Sequence, residues 1–159
     1  MKRHKRQNIG SVSHGTMRNE DLIESFISEL QQQKPLSRQH RQLIREIQKR
    51  IKASARLERL GAESYYHTED ADEDVDSLFG ALDCYAPTGF YFGAHPGDGS
   101  DYGFWLSESF IEDFDGLRVS DLASIPTGYC GEVLHVNDHG NVSLYAKSRS
   151  SLRELWAIV

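Results

Sequence analysis

The sequence predicts an α+β fold in which about three N-terminal helices pack on a mostly antiparallel sheet of four to five strands built from hairpins. Up to Tyr85 the apolar residues recur every three or four positions, the period of a helix, whereas beyond Pro87 they alternate, the period of a strand. Two clusters rich in Gly and Asp or Asn, at residues 95–101 and 137–141, fall where hairpins must turn. The chain has 159 residues, enough for one domain with a real core. Residues 1–15 are basic, contain Gly and Ser and show no period, so they read as a flexible segment ahead of a single domain at 16–159.

The first helix is read over residues 19–33. Glu20 and Asp21 give it a negative first turn that suits the helix dipole, and Leu22, Ile23, Phe26, Ile27 and Leu30 form its apolar face. Lys34 and Pro35 end it. Ser37 is a competent N-cap and Gly61 a C-terminal stop for a long second helix, whose Leu43, Ile44, Ile47, Ile51, Ala55 and Leu60 spread over one half of the cylinder. That face is expected to pack on the first helix and on the sheet. Val75, Leu78, Phe79 and Leu82 predict a third helix over 71–85, stopped by Pro87. Strands are read at 90–94 and 102–107, a short helix at 108–117, and a second hairpin at 132–136 and 142–147. The tail at 154–159 reads as a last strand.

Charge is segregated along the chain. The net charge is −6, yet residues 1–60 sum to +8 and residues 61–159 to −14. Seven cations in the second helix, Arg38, Arg41, Arg45, Lys49, Lys52, Arg56 and Arg59, are spaced 3, 4, 4, 3, 4 and 3. At about 100° per residue they fall within an arc of roughly 80°, a straight stripe opposite the apolar face. Such a stripe reads either as a phosphate-binding ridge or as a solvated or internally paired face, with the acidic third helix as the obvious internal partner. The acidic run supplies Glu69, Asp72, Glu73 and Asp76, joined by Asp98 and Asp101 in the first hairpin loop. These carboxylates can imitate phosphates toward a basic groove.

Catalytic motifs are lacking: there is no P-loop, GxGxxG, GxSxG or HExxH. Cys84 and Cys130 have neither a CxxC partner nor zinc-finger spacing, and Cys84 reads as a small buried hydrophobe. With no apolar signal region, the expectation is a cytoplasmic protein, without cofactor or membrane span, that binds rather than catalyses. The weaker alternative is a metal-dependent hydrolase using the two hairpin tips, with His95, Asp98, Asp101 and His139 as metal ligands and His135 and Asp138 beside them. Hairpin-tip Asx and Gly residues are otherwise explained by turn geometry. Tyr91 and Trp105 are expected on the outer face of the first hairpin as an aromatic partner-binding patch.

The blocks GSVSHGTMR at 10–18 followed by EDLI at 20–23, FGAHPGDGSDYGFW at 92–105 and HVNDHGNV at 135–142 resemble a family of small bacterial, bacteriophage and plasmid-encoded proteins with no assigned activity. The resemblance implies a mobile-element setting and, by association, an inhibitor of host defence of the anti-CRISPR or antirestriction type. It also implies that order begins ahead of Thr16. The leading expectation is therefore a non-enzymatic inhibitor that docks its acidic surface on a nucleic-acid-binding defence protein such as a CRISPR effector. Direct binding of nucleic acid by the stripe is the alternative.

Overall fold

The structure, a computed structural model, describes residues 8–158. Over these described residues it is an α+β fold with four α-helices and two sheets, divided into two compact units at Ser107/Glu108. The strand pattern pointed to one sheet. Two sheets form because strand pairing is decided by contacts between distant segments, which period and composition do not record.

The first unit begins with β1 (Gly10–Ser13), followed by α1 (Asn19–Gln31), α2 (Arg38–Glu58), a 3-10 turn at Tyr65–His67 and α3 (Glu69–Asp83). It closes with β2 (Phe90–His95) and β3 (Asp98–Leu106), giving an antiparallel sheet of order β1-β3-β2. β1 corrects the reading of residues 1–15 as flexible; the part of that expectation covering residues 1–7 lies outside the described residues. Asn8 reinforces the docking of this end by donating through Nδ2 to Gln33 Oε1 at 2.7 Å and to the Tyr85 carbonyl at 2.8 Å.

The register places Phe92 opposite Phe104 and Ala94 opposite Tyr102 on the face that meets the helices. Phe26 of α1 and Phe79 of α3 pack edge-on against Phe92 and Tyr102, and Leu22, Ile23, Leu30, Leu78 and Leu82 complete the core. α1 and α3 thus form the layer on the sheet, and α2 lies against α1, α3 and the Tyr65–His67 turn. Its apolar face is buried at Ile44 and Ile47 and partly buried at Leu43 and Ile51, but Ala55 is exposed and Leu60 is 85% exposed. The expected face is therefore correct over the first half of α2 only, and it lies on α1, α3 and the Tyr65–His67 turn instead of on the sheet as expected. Its second half runs past the layer, leaving Leu57 uncovered as well.

β3 is the central strand, and Gly103 is where β1 can reach it. A Cβ at Gly103 would overlap the Gly10 carbonyl and lie within 2.9 Å of Ser11 Cα, both backbone atoms that side-chain repacking cannot move. Gly103→Ala is expected to detach β1 at a cost of about 1–3 kcal/mol. Gly99→Ala, which meets open space, is expected to stay within about 0.5 kcal/mol of the parent. Thermal melts, with amide exchange at Val12, check the pair.

The second unit contains α4 (Glu108–Glu112), β4 (Leu117–Val119), a 3-10 turn at Leu122–Ser124, β5 (Gly131–Val136), β6 (Val142–Lys147) and β7 (Leu152–Ile158). Its sheet order is β4-β5-β6-β7, antiparallel except for the parallel β4–β5 pair. Leu134, Leu144 and Trp156 align on one face, with Phe110 against Trp156. α4 stops at Glu112, five residues short of the expected end, and β4 falls where no strand was expected. The Tyr129 hydroxyl fixes that segment by accepting from Leu117 N at 3.2 Å and donating to the Glu132 carbonyl at 3.0 Å.

Candidate functional site: the cationic ridge of α2

Ser37 caps α2 by accepting from His40 N at 3.1 Å, and Gly61 ends it at a φ of +92°. Between them all seven stripe cations, Arg38, Arg41, Arg45, Lys49, Lys52, Arg56 and Arg59, are exposed. None is in an ion pair among the described residues: the pairs there are Arg18–Glu20, Arg50–Asp74 and the contacts of His14. The two carboxylates carried by α2 are turned to other work. Glu46 accepts from Gln42 Nε2 at 2.9 Å, and Glu58 accepts from Tyr65 N at 3.1 Å and from Ser54 Oγ at 3.2 Å. Those donors hold the exposed Glu58 carboxyl below its ordinary value, the Tyr65 amide foremost.

Arg50, also on α2, lies off the stripe and has a different role. Its guanidinium forms a two-pronged contact with Asp74 of α3, whose carboxylate also accepts from the Tyr65 hydroxyl. Asp74 is buried because it shares the phase of Ala71, Leu78 and Leu82, the apolar side of α3. Burial, with Asp74 adding to it, pushes the Tyr65 phenol up, while the hydrogen bond from Arg50 to Asp74 strengthens the hold of the guanidinium on its proton. This group clamps α2, the 3-10 turn and α3 together. Sequence reasoning missed it, although the signal was present: a cation off the stripe and a carboxylate on an apolar phase.

The acidic third helix does not neutralise the ridge. Glu69, Asp72, Glu73 and Asp76 are exposed on one face of α3, with Asp72 accepting from Asn19 Nδ2 at 2.6 Å. Their position near the N-terminus of α3 has a local cause, since carboxylates there are favoured by the helix dipole.

A second polar cluster assembles at the β2–β3 hairpin. The Ser11 hydroxyl donates to Asp101 Oδ1 at 2.5 Å, and His14 Nδ1 lies 3.6 Å from Asp101 Oδ2 and 3.8 Å from Asp98 Oδ2. Ser11 and His14 were not read as site residues; their signal was the 10–18 block, which β1 brings beside the 92–105 block. Asp98 also accepts from Ser100 N and Oγ at 3.0 and 2.8 Å, and these bonds, the amide first, hold its carboxyl below the ordinary value. The carboxylate of Asp101 stands between Ser11 and His14, so no imidazole is bonded to the serine and this is not the arrangement of an activated nucleophile.

His95, Asp98 and Asp101 belong to the first unit, and His135, Asp138 and His139 to the second. His95 stacks edge-on against Trp105, while His135 Nε2 lies 3.2 Å from the Ser120 carbonyl. Among the described residues no group of three or more His, Cys, Asp or Glu side chains is placed to hold a metal ion. At the second hairpin tip Asn137 Oδ1 accepts from the His139 and Asn141 amides, which explains that turn by backbone geometry.

Tyr91 and Trp105 do face each other on the outer side of the sheet. Both are half-buried and their polar tips are engaged: the Tyr91 hydroxyl donates to the Ala94 carbonyl at 3.2 Å, and Trp105 Nε1 to the Gly93 carbonyl at 3.0 Å. Cys84 corrects an expectation, because it sits at the end of α3, exposed, as is Cys130.

No protein-family model, curated protein or solved structure matches the chain. No helix among the described residues is long and apolar enough to cross a membrane.

Proposed function

We propose that the protein binds nucleic acid through the phosphate backbone, using the exposed ridge of α2. The observation that carries this reading is seven aligned cations without an intramolecular partner among the described residues. Magnitude separates it from an ordinary solvated face. Six neighbouring like-charge pairs at i,i+3 or i,i+4 each cost about 0.2–0.5 kcal/mol, so the ridge carries a local penalty on the order of 1–3 kcal/mol. Arg38 and Arg41 add to it, since they occupy the N-terminal end of α2, where the dipole disfavours cations and the first turn holds no acid. A polyanion removes that repulsion on binding.

Replacing Arg41, Arg45, Lys49 and Lys52 together by Gln is the test. The parent is expected to shift a labelled 30-base-pair duplex at micromolar to tens of micromolar protein in about 50 mM salt. The variant is expected to bind at least about tenfold more weakly, with its salt dependence reduced by about 3–4 in slope. Absence of binding by the parent at about 100 µM defeats the proposal.

The acidic face of α3 supports a second reading, the inhibitor that competes for a basic groove. It is favoured by the common exposure of Glu69, Asp72, Glu73 and Asp76 on one side of a helix. In a mobile-element setting the partner would be a host defence protein of the CRISPR or restriction type, and Asp98 and Asp101 would extend the surface. Competition with guide RNA or DNA, lost when the four helix carboxylates become Asn or Gln, supports it. A partner whose affinity ignores those changes removes it.

A further inference from the structure

We infer that the ligand of the α2 ridge is a duplex, held by its phosphates alone and without regard to base sequence; the inference rests on the nucleic-acid reading above. It comes from what surrounds the cations rather than from the cations themselves. At about 100° per residue the stripe centre lies on the side of α2 remote from Ile47, and the positions next to it are Gln42 and Ala53 on one flank and Gln48 and Ala55 on the other. All four are exposed and uncharged. A helix that enters the major groove presents base-reading side chains along its leading edge and uses flanking groups for the phosphates. Here the order is reversed, with cations on the leading edge and neutral residues at the sides. Gln42 is moreover engaged with Glu46.

The choice of duplex over single strand follows from two further features. α2 carries no Phe, Tyr or Trp, and its one ring, His40, is packed edge-on against Tyr85 with Nδ1 2.8 Å from the Tyr85 hydroxyl. Binding of single strands relies on aromatic platforms for the bases, worth about 1–3 kcal/mol per base, and α2 has none to offer. The ridge also runs along one uninterrupted helix and its C-cap for about 30 Å from Arg38 to Arg59. A duplex, stiff over about 50 nm, meets it with phosphates already ordered, whereas a flexible strand must lose entropy to line up.

The test is fluorescence anisotropy on the full chain with three probes: a 30-base-pair duplex, a duplex of scrambled sequence, and an unstructured oligothymidine strand of the same length. The two duplexes are expected to bind within about threefold of each other, far below the 10³-fold or more typical of specific sites. The strand is expected to bind at least about tenfold more weakly, because it lacks both stacking and pre-ordered phosphates. With four to seven phosphates neutralised, log K for the duplex should fall against log salt with a slope of about −4 to −6. The double variant Gln42→Ala/Gln48→Ala is expected to leave every one of these values unchanged.

A strand that binds as tightly as the duplex, a tenfold preference between the duplexes, or selectivity lost with the two glutamines overturns the duplex inference while leaving phosphate binding standing. Binding to none of the probes overturns both.

Discussion

Arg50→Ala is expected to lower the stability of the first unit by on the order of 3–5 kcal/mol, more than the complementary Asp74→Ala. The asymmetry comes from what each change leaves behind. Removing Arg50 strands the carboxylate of Asp74, only 7% exposed, with the Tyr65 hydroxyl as its remaining partner among the described residues. Removing Asp74 frees a guanidinium whose side chain is already 40% exposed and can swing into water, so the loss there reduces to the unpaired Tyr65 hydroxyl, about 1–3 kcal/mol. The double variant Arg50→Met/Asp74→Leu should recover much of the loss, because a buried ion pair replaced by apolar groups of similar volume is often neutral. Chemical denaturation of the four proteins measures the cycle. Equal losses for the two single changes would show that the clamp is not governed by burial of the carboxylate.

Ile47→Asp is the second change of large expected effect. Ile47, on the face by which α2 meets α1, α3 and the Tyr65–His67 turn, is fully buried. The substitution forfeits about 2–3 kcal/mol of apolar burial and adds an unpaired charge that costs several kcal/mol more. Together these approach the 5–15 kcal/mol that holds a typical domain folded, so the first unit is expected to lose its cooperative melt. Lys49→Glu, two residues on and exposed, is expected to melt within about 0.5 kcal/mol of the parent or slightly above it, since it breaks a row of like charges. Circular dichroism melts of both separate core from ridge, and equal destabilisation would mean that α2 is turned the other way.

The helices were largely legible because their signals are local. Ser37 and Gly61 mark the ends of the second helix, and the spacing of Ile44 and Ile47 gives the buried side without knowledge of the partner. The cationic stripe was legible in the same way. Its freedom from internal pairing was not, since that depends on α3 meeting α2 through Asp74 rather than through Glu69, Asp72, Glu73 or Asp76. Leu60 was misplaced for a related reason: helical phase assigns a face, but nothing local says that the layer beneath ends before it.

β1 was hidden because four residues reading Gly-Ser-Val-Ser show no alternation and become a strand only through Gly103. The approach of His14 to Asp98 and Asp101 follows from that pairing and was equally out of reach.

The pairing of β1 with β3 also sets an order on synthesis. Ser11 and Asp101, bonded in the finished sheet, are 90 positions apart, so the strand translated first waits for a partner translated near the end of the unit. Everything between them, from α1 through the β2–β3 hairpin, is on hand by the time the loop closes, and loop-closure entropy grows only slowly with the length enclosed. Closure is therefore timed by the arrival of β3 rather than by the entropic cost of closing the loop. On a ribosome adding about 5–20 residues per second, β1 exposes its backbone for about 5–20 s before β3 can cover it.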